Sequence, residues 1–141
     1  MSTEQNKALL RRWFSEFISK NDTSLADELI DPAYINHFLG SSVSGPAAER
    51  QIMALFFSAF PDLQGSLEDT VAEGDKVATR IIWRGHNTGS LMGMPPTGKY
   101  AEISSNNIFR IANGKIVENW PQVDMAGLMQ QLGVGAPAGQ A

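Results

Sequence analysis

The 141-residue sequence predicts a segregated α+β domain, helices first and an antiparallel sheet after them, with the helices covering one sheet face. Three observations carry that expectation. Apolar residues recur at helical spacing through the first half of the chain, and they alternate with period two through the second. Between the alternating runs stand Glu73-Gly74-Asp75 and Asn113-Gly114, both hairpin signals. No internal repeat or compositional break divides the chain, so residues 1–134 form one domain and the Gly/Ala-rich residues 135–141 a flexible tail.

The elements follow in order. Ser2 and Gln5 have capping-box spacing, and Leu10, Trp13, Phe14, Phe17 and Ile18 then share one helical stripe. Asn21-Asp22 breaks that helix. A short second helix is expected over residues 24–30, closed by Asp31-Pro32 because proline disfavours helical backbone in the residue before it. Residues 33–39 read as extended or irregular. A third helix opens at Gly45-Pro46, with proline at its first position, and turns an apolar face of Ile52, Leu55, Phe56 and Ala59 inward. Phe60-Pro61-Asp62 closes it.

Strands are expected over residues 67–72, 76–84, 100–111 and 115–123. A glycine- and proline-rich loop, 85–98, joins the second to the third. Asn113-Gly114 suits a two-residue turn because both positions tolerate positive φ. A last helix over 125–132 ends at Gly133, a residue suited to the left-handed position past a helix end. Alternation assigns the faces. Val77, Thr79, Ile81 and Trp83 point one way, and Arg80 and Arg84 the other. Ile103, Ser105, Asn107, Phe109 and Ile111 share the apolar face, opposite Glu102, Ser104, Asn106 and Arg110. Ser105 and Asn107 are therefore polar groups among apolar neighbours, and they need hydrogen-bond partners from the protein or a ligand.

Composition narrows the function classes. A hydrophobic content of 43% with 18% charged residues is that of a folded globular chain. The net charge of −4 argues against nucleic acid or anionic membrane surfaces as partners. No apolar run is long enough to cross a bilayer, and residues 1–7 lack the apolar core of a signal peptide. The absence of cysteine excludes disulfides and thiolate metal sites, and it fits a reducing compartment; the expected location is cytoplasmic. His37 and His86 lie on different elements without metal-ligand spacing, so no metal is expected. There is no Gly-x-Ser-x-Gly elbow, and glycines 89, 93 and 98 lie between strands rather than before a helix, so no phosphate cradle is implied. Elimination leaves chemistry without a cofactor.

Several short motifs in a fixed order carry a resemblance. Tyr34-Ile35-Asn36-His37 is followed by Gly45-Pro46, then by Gly89-Ser90-Leu91-Met92-Gly93-Met94-Pro95-Pro96-Thr97-Gly98. Phe109-Arg110-Ile111, Gly114-Lys115-Ile116, Asp124-Met125-Ala126-Gly127 and Gln131-Leu132-Gly133 complete the series. In this order and spacing the chain resembles the SnoaL-like polyketide cyclases, or ester cyclases, of the NTF2-like superfamily. The resemblance runs from the first helix to Gly133. It implies a cone: a curved antiparallel sheet whose inner face and helices enclose a pocket. It implies a homodimer or higher homo-oligomer formed through the outer sheet face. The reaction it implies is an intramolecular aldol ring closure on a hydrophobic polyketide, without metal or Schiff base. A pocket aspartate is the family's general acid/base, and Asp124 stands at the matching position. Asn36 matches a pocket asparagine that contacts substrate. Asn107 and Asn87 stand where the family has histidines, so two titratable groups are replaced by amides.

The candidate site is thus Asp124 and His37 for acid/base work, with Asn36, Asn107, Trp83, Asn87, Tyr34 and Trp120 as substrate contacts. Each has a plainer reading. Asp124 directly precedes a helix and is placed to cap it; His37 suits a surface hydrogen bond; Tyr34, Trp83 and Trp120 suit packing. The apolar loop Leu91-Met92-Gly93-Met94 reads as a flexible mouth to the pocket or as an ordinary packed connection. Isomerisation, epoxide opening in the same pocket, or non-catalytic binding of a small apolar ligand remain open alternatives.

Overall fold

A computed structural model of the chain describes residues 2–20, 23–38 and 44–134. The break at Asn21-Asp22, Leu39 at the end of the extended segment, and the tail 135–141 lie outside the described residues. Helix α1 (Thr3–Arg12) starts with both halves of the capping box formed. Gln5 N–H donates to Ser2 Oγ at 3.1 Å, and Ser2 N–H donates to Gln5 Oε1 at 2.8 Å. The chain then continues as a π-helical segment, Trp13–Ile18, in which Ser19 N–H reaches back to Phe14 O at 2.8 Å. Trp13, Phe14, Phe17 and Ile18 are all buried on this wider turn.

The second helix, expected over residues 24–30, is shorter in the structure. A 3₁₀ turn, Thr23–Leu25, precedes α2 (Ala26–Leu29), and Ile30 already belongs to strand β1 (Ile30–Asn36). The extended segment is therefore a fifth strand, and it pairs parallel with β5. This departs from a purely antiparallel sheet. Proline is tolerated there because β1 is an edge strand, and the ladder with β5 is irregular between Ile30 and Ile35, across Asp31-Pro32. Helix α3 (Pro46–Ala59) begins where the Gly45-Pro46 signal places it.

Strands β2 (Gln64–Glu73), β3 (Lys76–His86), β4 (Tyr100–Ala112) and β5 (Lys115–Val123) are antiparallel neighbours, and α4 (Met125–Leu132) follows. The sheet order is β1-β5-β4-β3-β2. β2 and β3 overrun their expected ends, because backbone pairing continues where the apolar alternation stops. Register shifts at Leu67/Asp69 and Arg110/Ile111 mark irregularities of the bulge type, which bend strands. Asn113 and Gly114 both have positive φ, 53° and 76°, as the hairpin requires.

Alternation on β4 is strict: Ala101, Ile103, Ser105, Asn107, Phe109 and Ile111 are buried, and the residues between are not. Two apolar clusters cover this inner face. The larger joins α1, the π-helical segment, α2 and α3 to β1, β3, β4 and β5; the smaller joins Ala59, Phe60 and Leu91 to β4 and α4. Leu91 is fully buried, and the loop turns sharply at Met92-Gly93, bridged by Leu91 and Met94. That apolar loop is a packed connection rather than a loose cover.

Candidate active site

A cavity of about 90 Å³, partly open to solvent, lies between α3, the π-helical segment and the inner face of β3, β4 and β5. Its walls are mostly apolar: Trp13 and Ile18 on one side, Ile52, Met53 and Phe56 of α3 above, and Trp83, Ile103 and Val123 from the sheet. Five polar side chains enter it, Asn36, Glu49, Ser105, Asn107 and Asn119. All five are buried, so each must be paired or carry a cost.

Glu49 is the carboxyl of this cavity, and it is 3% exposed. α3 places it there, because Glu49, Ile52, Met53 and Phe56 fall on one helical stripe. The Tyr34 hydroxyl donates to its Oε1 at 2.8 Å and the Asn36 amide to the same oxygen at 3.0 Å. Burial pushes the Glu49 carboxyl up from its ordinary value, while Asn36, Tyr34 and the neighbouring Trp13 pull it part of the way back. Burial, and then Glu49 itself, raise the Tyr34 hydroxyl well above its ordinary value, so Tyr34 stays a donor.

The sheet supplies the rest. Trp83 donates its indole N–H to Ser105 Oγ at 2.9 Å, across a pair of strands in which Ser105 faces Ile81. Asn107 donates to Thr79 Oγ1 and to Ser105 Oγ, both at 3.4 Å, the long end for hydrogen bonds. Asn119 Oδ1 is buried and has no hydrogen-bond partner among the described residues.

Of the residues singled out in the sequence, Asn36, Asn107 and Trp83 line the cavity, and Tyr34 stands behind it on Glu49. The others lie elsewhere. Asp124 is exposed and caps α4, accepting the Gly127 N–H on Oδ1 at 2.9 Å; its chain neighbour Val123 lines the cavity, but Asp124 does not. His37 is half-exposed, its Nε2 2.7 Å from Glu118 Oε2 and its ring stacked on Trp120 at 5.3 Å. His37 first, then Arg110, hold the Glu118 carboxyl below its ordinary value. Trp120 faces a shallow depression on the opposite side of the sheet, beside Val71, Arg80 and Ile108. Asn87 is buried but fully engaged: its amide donates to Ala59 O and Gly89 O, and its Oδ1 accepts from the Thr97 N–H and hydroxyl. It ties the 86–98 loop to the end of α3.

Glu49 and Asn119 were not among the sequence candidates, although each left a signal. Glu49 interrupts the apolar stripe of α3. Asn119 alternates with Pro121 and Val123 on β5, opposite Glu118, Trp120 and Gln122. Among the described residues, no group of three His, Asp or Glu side chains is placed to hold a metal ion, and no helix is long and apolar enough to cross a membrane.

Comparison with known proteins identifies the fold and the family. The nogalonic acid methyl ester cyclase of Streptomyces nogalater is 32% identical over 117 residues, 79% of this chain and 85% of that protein. The aklanonic acid methyl ester cyclase DnrD of Streptomyces peucetius is 28% identical, over 94% of this chain and 92% of its own. Among solved structures, TsrD from Streptomyces laurentii superposes with a TM-score of 0.85 at 25% identity, covering 96% of this chain and 99% of its own. Wild-type IdmH from Streptomyces antibioticus superposes with a TM-score of 0.79 at 29% identity, over 92% and 99% of the two chains. The SnoaL-like polyketide cyclase family matches residues 8–132. With its NTF2-like sheet and helices, the chain belongs to the SnoaL-like polyketide cyclases.

Proposed function

We propose that this enzyme closes a ring by intramolecular aldol condensation on an apolar polyketide ester held in the cavity, without a metal or other cofactor. The observation that carries the reading is the cavity itself. Its walls are apolar, yet a carboxyl and three asparagine amides enter it, a set suited to carbonyl and hydroxyl groups on an otherwise greasy ligand. The relatives are methyl ester cyclases, and an ester supplies at least one carbonyl oxygen for such a set. Asn36 and Asn107 hold substrate oxygens by hydrogen bonds, and the Trp83 ring packs against its apolar body. Asn107 is free to re-pair because its present bonds are long. In this reading the substrate projects through the open side of the cavity past Val123, where Asp124, at the family's acid/base position, takes the proton from the nucleophilic carbon while its Oδ1 keeps the α4 cap. Tyr34 supports the site from behind; His37, Asn87 and Trp120 have structural rather than chemical roles in this reading.

The same reading places the enzyme in the cytoplasm, acting on a small molecule. It assembles as a homodimer or higher oligomer through the outer sheet face, where Val71 and Ile108 are 65% and 46% exposed. The test is turnover of nogalonic and aklanonic acid methyl esters, followed as formation of an isomer of unchanged mass. Asp124→Asn should remove about 10²–10⁴-fold of that turnover, the usual range for general acid–base help. Tight binding of both esters without conversion would favour the non-catalytic reading.

A further inference from the structure

We propose that Glu49 is the general acid of the ring closure, delivering a proton from Oε2 to the substrate's acceptor carbonyl, with Tyr34 and Asn36 as positioning residues. The inference rests on the cyclase reading above and adds a second carboxyl to it. Its basis is the way the carboxyl is held. Tyr34 and Asn36 both donate to Oε1, at 2.8 and 3.0 Å. A neutral carboxyl has one O–H, and the oxygen that accepts two hydrogen bonds is its carbonyl oxygen. Trp13 is a third donor to the carboxyl, and with Oε1 taken up by Tyr34 and Asn36 we assign the proton of the neutral acid to Oε2. Glu49 is buried in an apolar wall of the cavity, an environment that keeps a carboxyl neutral to higher pH than water does. No Lys or Arg lines the cavity to draw the proton off.

A second observation points to a ligand beside it. Asn119 Oδ1 is a buried acceptor without a partner, on a side chain 3% exposed that lines the same cavity. Leaving it unpaired is costly, and a ligand hydroxyl would pair it. The site thus asks for a carbonyl that receives a proton from Glu49 and a hydroxyl that donates to Asn119.

The step balances without an oxidant or co-reactant. The C–H bond at the nucleophilic carbon breaks, and Asp124 takes the proton. The freed electron pair forms the new C–C bond to the acceptor carbonyl carbon. The carbonyl's π pair takes the proton from Glu49 Oε2, giving an alcohol, and Tyr34 and Asn36 hold the resulting carboxylate. Water then carries the proton from Asp124 back to Glu49, and the product is an isomer of the substrate.

The experiment is kcat and KM against pH for the wild type, Glu49→Gln and Tyr34→Phe on the two methyl esters, with circular dichroism on each preparation. Glutamine keeps the acceptor for Tyr34 and Asn36 but has no acidic proton. Glu49→Gln should lose about 10²–10⁴-fold in kcat with KM little changed, and its profile should lose the alkaline limb. Tyr34→Phe should move that limb to higher pH, because one donor favouring the carboxylate is gone. Wild-type kcat in Glu49→Gln overturns the assignment while leaving the cyclase reading intact, and so does a lowered kcat with the limb unchanged. No turnover by the wild type overturns both. If Glu49→Gln does not fold, Tyr34→Phe decides: an upward shift supports Glu49, and an unmoved limb overturns it.

Discussion

Replacing Glu49 by glutamine should make the protein gain stability, relative to wild type, as pH rises. The folded protein holds the Glu49 carboxyl above its ordinary value of 4.5, chiefly through burial. Between that value and the raised one, the unfolded chain gives up the proton and the folded chain keeps it. The unfolded state then binds fewer protons, so wild-type stability falls with rising pH through this window. One group contributes a slope of at most about 1.4 kcal/mol per pH unit. Its stabilising contribution is fully present below the ordinary value and is lost as pH passes through the raised one. Glutamine has no such loss.

The two proteins also differ by a constant offset, because the glutamine N–H₂ presents two donors where the neutral acid has one O–H; that offset is about 1 kcal/mol or less and independent of pH. The decisive quantity is therefore the slope of the difference. Urea unfolding of both proteins at unit steps between about pH 4 and about pH 8, with equal m-values, gives it directly. The difference should move in favour of Glu49→Gln across at least part of that range. A flat difference would mean that Glu49 titrates alike in both states, and a trend favouring wild type would mean an ion-paired carboxylate. Either result would refute the neutral buried acid.

Other substitutions test the scaffold. Gly65→Ala would set a Cβ 2.8 Å from the Trp83 ring and 3.1 Å from Phe14, so it should cost about 1–3 kcal/mol by overpacking and disturb indole fluorescence. An unchanged melting curve and spectrum would mean that Trp83 is loosely held. Asp124→Asn should cost only a few tenths of a kcal/mol in thermal unfolding and Asp124→Ala about 1, since asparagine still caps α4. Glu118→Gln should cost about 1 kcal/mol or less at neutral pH, its partners His37 and Arg110 being more than a third exposed. That cost should fade as pH falls through the lowered Glu118 value, because protonation removes the same charge. Asn119→Leu should weaken binding of a hydroxylated ligand about 10-fold, the scale of one lost hydrogen bond, and leave its deoxy analogue unaffected in a calorimetric titration.

The elements that sequence reading places well are those whose signals are local. The capping box at Ser2, the proline opening α3, the Asn113-Gly114 turn and the alternation of β4 all appear where the residues put them. β1 is different. It becomes a strand because β5 pairs with it, and a segment containing Asp31-Pro32 carries no alternation to announce that. The π-helical turn at Trp13–Ile18 follows from tertiary packing of four large side chains, which a helical stripe alone does not distinguish from an α-helix. At the site, inward Ser105 and Asn107 are legible from period two, whereas Glu49 is masked because the apolar spacing of α3 does not say that a charged residue between the apolar positions turns inward. Asp124 was legible as a cap, and that is the role its hydrogen bond performs.

Glu49 also has to be explained as a choice of residue. A charged residue on the apolar stripe of a core helix contradicts the local pattern, and such contradictions concentrate at functional sites. Packing does not require it, because leucine would fill much the same space next to Met53 and Ile52. The hydrogen-bond network does not require an acid either, because a glutamine oxygen would accept from Tyr34 and Asn36 equally well. What glutamate alone adds is a proton that can leave. Burial raises the cost of losing it, and the donors Asn36, Tyr34 and Trp13 lower that cost, so the group is set between a structural amide and a surface carboxylate. Asp124 sits in the opposite environment, exposed at a helix N-terminus. Glu49 is thus the carboxyl whose surroundings suit it to give a proton inside the cavity, while Asp124 lies outside the cavity lining as the cap of α4.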